Sequence, residues 1–326
     1  MKTILRSLIA AFFVLSAAWL SACQVPVFRY AFERWEPDKY EALVLHDGPL
    51  AAEDRQRLEE LQAAAPPMAN VTIRSVDTRH HDDQEIKGWL QQYPFTGTTT
   101  LALLYPRSAQ EVPQRLVHAV PLASEPVRHL FDSPVRRELA ARLEKGQSAV
   151  WIFVPSGKAV QDKEAWDRLS QALARDRKEL KLPPVEDLEA ESPEVQAKVA
   201  EMQLEFSSLP LDTQDPREAF LVQMLLASES DLATAGEPLA FPAFGRGRVL
   251  YALVGMGINA EMIRRANQFI VGPCSCQVKA QNPGFDLLTA ADWEGLVGDL
   301  KISDPLPDAN AAPVMLEIPR GRKKEF

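Results

Sequence analysis

The sequence predicts an α/β chain of two tandem units with the same element order, each a mixed sheet flanked by helices. Short apolar runs such as Ala149 to Val154 alternate with longer amphipathic stretches such as Asp162 to Leu180. The order β-α-β-α-β-β-α is legible once before residue 147 and again after it. Turn signals separate the runs, among them Asp47-Gly48-Pro49, Ser156-Gly157 and Gly245-Arg246-Gly247.

The first unit is expected over residues 39–147. Glu41 to His46 reads as a strand. A helix follows from Ala51 to Ala65, with Leu58 and Leu61 on one face, and Pro66-Pro67 stops it. Asn70 to Val76 alternates like a strand through Val71, Ile73 and Val76. Asp82 to Gln92 reads as a short helix, in which Asp82 followed by Glu85 has the layout of a capping box. Thr98 to Leu104 and Arg115 to Val120 are two strands close enough to pair, and a helix or helix pair follows to Lys145.

The second unit is expected over residues 148–300. It opens with the strand Ala149 to Val154 and the long helix Asp162 to Leu180. An acidic, proline-containing insertion near 181–203 carries a further helix, about Glu194 to Met202. Leu204 to Leu211 is strand-like, and Asp215 to Ala227 is a helix with Pro216 in the first turn, where proline is favoured. Leu239 to Phe244 and Arg248 to Val254 form a hairpin, and Asn259 to Ile270 closes the unit. Residues 301–326 read as an irregular tail with basic residues from Arg320 to Lys324.

This repeated order resembles the thioredoxin fold, twice. In the second copy Glu237-Pro238-Leu239 sits where that family has a cis-proline before its third strand. A short glycine turn, Phe244-Gly245-Arg246-Gly247-Arg248, and a strand ending in Val254-Gly255 follow as in the family. Pro94 is the candidate proline of the first copy, a few residues earlier than the family pattern places it. The resemblance implies a cis bond at Pro238. The family's Cys-x-x-Cys belongs at the start of the first helix of each copy. Those positions read His46-Asp47-Gly48-Pro49 and Pro155-Ser156-Gly157-Lys158, with no cysteine. Ordinary thioredoxin chemistry there is excluded.

Residues 1–22 have the pattern of an export signal. Lys2 and Arg6 give a positive start, Ser7 to Leu20 is almost wholly apolar, and Leu20-Ser21-Ala22-Cys23 follows. That closing motif resembles a bacterial lipobox, whose cysteine is acylated and becomes the mature N-terminus. The apolar run of 14 residues is short against the ~20 needed to span a bilayer. The resemblance implies lipidation at Cys23 and a place in the bacterial cell envelope. Gln24 rather than aspartate follows the cysteine, which implies the outer membrane where the host has two. Loss of Lys2 and Arg6 takes the formal net charge from −9 to −11. So acidic a body argues against nucleic acid and against electrostatic docking on anionic lipid. The anchor-proximal segment 23–38 is rich in aromatics: Phe28, Tyr30, Phe32 and Trp35 fit either a strand or a helix face. It is read either as a membrane-interface contact or as a segment packed on the first unit, the latter being favoured.

If Cys23 is lipidated, Cys274 and Cys276 are the remaining cysteines, so a disulfide-stapled fold is excluded. They lie in Gly272-Pro273-Cys274-Ser275-Cys276, a turn-rich loop ahead of Asn282-Pro283-Gly284. Three readings stand: a structural pair, a redox pair with Lys279 lowering a thiol pKa, or soft-metal capture. His80-His81-Asp82-Asp83 is a weak metal candidate, since neighbours on an extended chain point to opposite faces. Gly255-Met256-Gly257-Ile258-Asn259-Ala260 matches a dinucleotide fingerprint, but no second strand ending in an acid follows it. No cofactor is expected. The expected function is a membrane-anchored binding or scaffolding lipoprotein. It would be held to the bilayer through Cys23 and would serve an envelope protein partner. The alternatives are a thiol-disulfide oxidoreductase and a Cu(I) or zinc carrier, both using Cys274 and Cys276.

Overall fold

The computed structural model describes residues 25–92, 95–182, 204–274, 278–298 and 301–303. The export segment with Cys23, Pro94, the helix expected near Glu194 to Met202, Cys276 and the basic tail lie outside the described residues. Among the described residues, no helix is long and apolar enough to cross a membrane.

The chain is α/β with two mixed sheets flanked by helices. After α1 (Val27–Arg34), the first sheet is built from β1 (Tyr40–His46), β2 (Val71–Asp77), β3 (Thr100–Leu104) and β4 (Leu116–Pro121), with α2 (Ala52–Ala64) and α3 (Gln84–Gln92) in the crossovers. Its strand order is β2-β1-β3-β4. The β1–β2 pair is parallel, and β3 is antiparallel to both β1 and β4. Then come α4 (Pro134–Glu144), β5 (Ala149–Val154), α5 (Ala159–Glu179), β6 (Phe206–Pro210), α6 (Ala219–Leu226), β7 (Leu239–Phe244), β8 (Arg248–Val249), β9 (Leu253–Val254), α7 (Ala260–Val271), β10 (Phe285–Asp286) and α8 (Trp293–Val297). The second sheet runs β10-β8-β7-β5-β6, with β9 also on β7. Again the first two strands, β5 and β6, are parallel, and β7 is antiparallel to β5 and β8. The two sheets therefore repeat one strand order, and β10 extends the second.

The units share a core. One face of the first sheet (Tyr40, Val44, Leu101, Leu103, Tyr105) and one face of the second (Val150, Ile152, Phe241) belong to the same apolar cluster. Phe220, Leu221, Met224 and Leu225 of α6 join it. Each fully buried side chain of this size contributes about 1.5–3 kcal/mol. The outer face of the first sheet packs Leu43, Leu45 and Leu104 under Ile86 of α3. The outer face of the second packs Trp151, Phe153 and Phe244 under α5, α7 and α1.

Three expectations are corrected. The Glu237-Pro238 peptide is trans, as is every described peptide bond. Trans is favoured by ~0.5–1 kcal/mol for X-Pro bonds, and Gly236 at φ 59° makes the turn into β7 instead. The cap of α3 is Asp83, not Asp82: its Oδ1 accepts from the Glu85 and Ile86 N–H groups at 3.0 and 3.3 Å. The second hairpin strand is split into β8 and β9. Leu250 N–H donates to the Pro242 carbonyl at 3.1 Å, but Pro242 has no N–H to return, so the ladder breaks there.

Candidate functional site

The most informative convergence joins residues 25–35 to the turn Gly272–Cys274 and the β7–β8 turn. α1 is helical because Val27, Phe28, Ala31 and Phe32 fall at helical spacing, and it is buried on nearly all sides. It packs against the second unit, which corrects the expectation that it lies on the first. The cause is visible at Gly245, whose φ is 59° and where a Cβ would lie 2.7 Å from Ala31 Cβ. Without a side chain there, α1 lies directly on the β7–β8 turn. Arg246 then caps the helix end, donating to the carbonyls of Phe32 at 2.8 Å and Glu33 at 3.2 Å. Glu33 is fully buried and accepts from Ser303 N–H at 2.8 Å and from Arg29 at 2.6 Å.

At the other end of α1 the stem meets the cysteine turn. Val27 N–H donates to the Gly272 carbonyl at 3.0 Å, and Cys274 N–H to the Val25 carbonyl at 2.9 Å. Pro26 and Pro273 form an antiparallel bridge between them. Cys274 is 1% exposed and packs in the same cluster as Val25, Phe28 and Ile270. Lys279 points into a different network. Its ammonium donates to the buried Asp286 carboxylate and the Glu36 carbonyl, and lies 2.8 Å from Asp38. Asp286 also accepts from Asp38 N–H at 2.7 Å and Arg248 at 3.3 Å. The Arg248 guanidinium stacks over Trp35 at 5.7 Å. These bonds tie the 35–40 segment to the 278–286 loop, and they hold the Lys279 charge on carboxylates.

The loops leading into the first helix of each unit are hydrogen-bonded internally. Asp162 accepts from Ser156 N–H and its hydroxyl, each at 2.7 Å, and from Gly157 N–H at 3.0 Å. The Lys158 ammonium reaches the Gly236 carbonyl at 2.8 Å, and Gly255 N–H donates to the Pro238 carbonyl at 2.9 Å. In the first unit, Asp77 accepts from Gly48 and Arg79 N–H groups at 3.1 and 3.0 Å. Those N–H groups hold its carboxyl down at about 2. The loop donors ahead of these helices are thus occupied, while the first turns of α2 and α5 carry no side-chain cap.

Two further features were not foreseen from the sequence. On the first sheet, Arg115 and Arg107 both bridge Glu41 and Glu85. Burial pushes the Glu41 carboxyl up, yet the Arg115 hydrogen bond and the charges of Arg115, Arg107 and Arg74 bring it below the usual range. The network borders a cavity of about 200 Å³. A groove of about 360 Å³ lies between α2 and residues 122–131, lined by Leu61, Val127 and Phe131 with Arg57 and Arg128. Those arginines are already paired, with Asp54 at 2.8 Å and Glu125 at 3.6 Å. His80 contacts Asp77 at 3.3 Å while Asp83 caps α3, so the His80–Asp83 run does not converge. Gly255–Gly257 forms a short 3-10 turn.

Neither a protein-family model nor a curated protein matches this chain.

Proposed function

We propose that the protein is a bacterial envelope lipoprotein, acylated at Cys23, whose body is a tandem of thioredoxin-like units that binds or scaffolds an envelope partner without thiol chemistry. The strand order repeated in both sheets, with a parallel first pair and an antiparallel third strand, supports the fold reading. The trans Pro238 bond departs from the family pattern. That departure counts against the thioredoxin-like reading of the second unit. The observation that carries the non-catalytic reading is the state of the two helix starts. They lack cysteine, and the loop N–H groups just ahead of them, at Ser156, Gly157 and Gly48, are bonded to Asp162 and Asp77. The acidic body, −11 after loss of the export segment, suits a protein partner better than a polyanion. The lipid signal, with Gln24 behind it, supports an outer-membrane location in a two-membrane host.

The competing use of Cys274 with Cys276 in redox or metal chemistry is disfavoured by the burial of Cys274, since reactive thiols are accessible and sit beside positive charge. Double substitution, Cys274→Ser with Cys276→Ser, is expected to destabilise the fold by about 1–3 kcal/mol, because a hydroxyl replaces a buried thiol in an apolar cluster. Thermal melts read this directly. Thiol titration of folded protein, with and without reductant, is expected to show no exchange of Cys274 with a glutathione buffer until the protein unfolds. Rapid exchange in the folded state, with an unchanged melting temperature in the double variant, would replace the scaffold by the oxidoreductase.

A further inference from the structure

We propose that this protein is seated on its bilayer in one orientation. The end of α7 and the Gly272–Cys274 turn rest against the headgroups, and the Pro155–Lys158 and Glu237–Gly255 loops point away. The inference rests on the reading that Cys23 is acylated.

The first argument is length. Gln24 alone separates Cys23 from Val25. The chain extends at most ~3.6 Å per residue, so the lipid-bearing residue stays within about 7 Å of Val25. Val25 is not a loose tether. It is 4% exposed, and its carbonyl is bonded to Cys274 at 2.9 Å. Pro26 bridges Pro273, and Val27 is bonded to Gly272 at 3.0 Å. The attachment point is therefore fixed against the C-terminal end of α7. A flexible linker would let the body tumble, and none is present between the anchor and the fold.

The second argument is charge. No charged residue occurs between Arg265 and Lys279. The stretch itself thus adds no charge that an anionic lipid surface would repel. Gln268 and Pro273 are exposed there, and Phe269 is half-buried. The aromatics of α1 are buried in the second unit and do not reach lipid.

The direction of the far end follows from the α5–α7 pair. Arg168 bonds the Ile258 carbonyl at 2.9 Å, Arg175 the Ala260 carbonyl at 3.0 Å, and Glu179 meets Arg264 at 2.5 Å. Contacts advance together along both helices, so the helices run the same way. At 1.5 Å per residue, the start of α5 lies roughly 30 Å from the end of α7. Lys158, Gly236 and Pro238 cluster at that far end. The cysteine turn thus faces lipid, while the helix-start loops of the second unit face the aqueous side, where a partner would meet them.

The test uses the full lipoprotein in vesicles carrying a nitroxide on a fraction of the headgroups. An environment-sensitive fluorophore is placed at Gln268→Cys or at Val160→Cys, the latter 72% exposed at the start of α5. Both are made in a Cys276→Ser background, where Cys274 is buried. Quenching at 268 is expected to exceed that at 160 several-fold. An insert of about twelve Gly/Ser residues between Gln24 and Val25, spanning ~20 Å, is expected to abolish the difference while the protein still floats with the vesicles. Equal quenching at both sites in the uninserted protein, with the acyl mass on Cys23 and flotation intact, overturns the orientation alone. Absence of the acyl mass overturns the lipoprotein reading, and the orientation with it.

Discussion

Replacement of Arg136 by alanine is expected to cost about 3–5 kcal/mol and to leave the protein largely unfolded at moderate temperature. Arg136 is 1% exposed and sits where α4, the 125–129 turn and the 288 segment meet. Its guanidinium donates to the carbonyls of Leu130 at 2.9 Å, Leu288 at 3.1 Å and His129 at 2.5 Å, and to the Ser133 hydroxyl at 3.1 Å. Burial pulls its pKa down to about 10, so it stays charged at neutral pH. Glu218, itself buried, accepts from the same Ser133 at 2.6 Å and from Val135 N–H at 2.8 Å. One cation thus joins the first unit to the second, directly at Leu288 and through Ser133 at Glu218. Alanine strands several buried carbonyls and removes the countercharge from Glu218. Lysine keeps the charge but not the planar fork, so Arg136→Lys is expected to recover only part of the loss. Urea denaturation measures both. A change below ~1 kcal/mol for the alanine variant would show that water replaces these bonds without cost.

The second large effect is expected at Gly245→Val. A side chain there needs a left-handed backbone, costing roughly 1–2 kcal/mol. It also meets Ala31 Cβ at 2.7 Å, adding overpacking of about 1–3 kcal/mol. The outcome is undocking of α1. Hydrogen exchange is expected to lose protection at the Tyr30 and Ala31 amides, with new proteolytic cleavage within 25–35. Gly97→Val is the control: its φ is 87°, with nothing within 4 Å of an added Cβ, so it carries strain without the clash. Equal effects of the two substitutions would mean that Gly245 matters for its backbone and not for seating α1.

Much of the element order was legible because periodicity and breakers act locally. The apolar run Ala149 to Val154 and the cap at Asn259, whose side chain accepts from Glu261 and Met262 N–H groups, can be read from neighbours alone. What escaped depends on contacts distant in sequence. Nothing near Phe28 says that its partners are in α7, because the vacancy that admits α1 is made by Gly245 far along the chain. The shared core was hidden for the same reason: residues such as Val44 and Ile152 alternate correctly, but alternation does not say which two faces meet. Arg136 left a signal. With Leu139 and Leu143 it falls on one helix face, so a charge stood on an apolar stripe, which demands buried acceptors. The cysteine turn was recognised as a loop from Gly272-Pro273. That Lys279 serves Asp286 and Asp38 depends on the fold of residues 35–40, out of reach of spacing.

The central claim is that a lipid on Cys23 holds this fold to a membrane, and intact-mass analysis combined with vesicle flotation tests it most directly. The account predicts that mature protein begins at Cys23, carries diacylglycerol mass and floats with lipid, and that Cys23→Ser yields either soluble protein or uncleaved precursor. A Cys23→Ser variant of unchanged processing and undiminished flotation would contradict it.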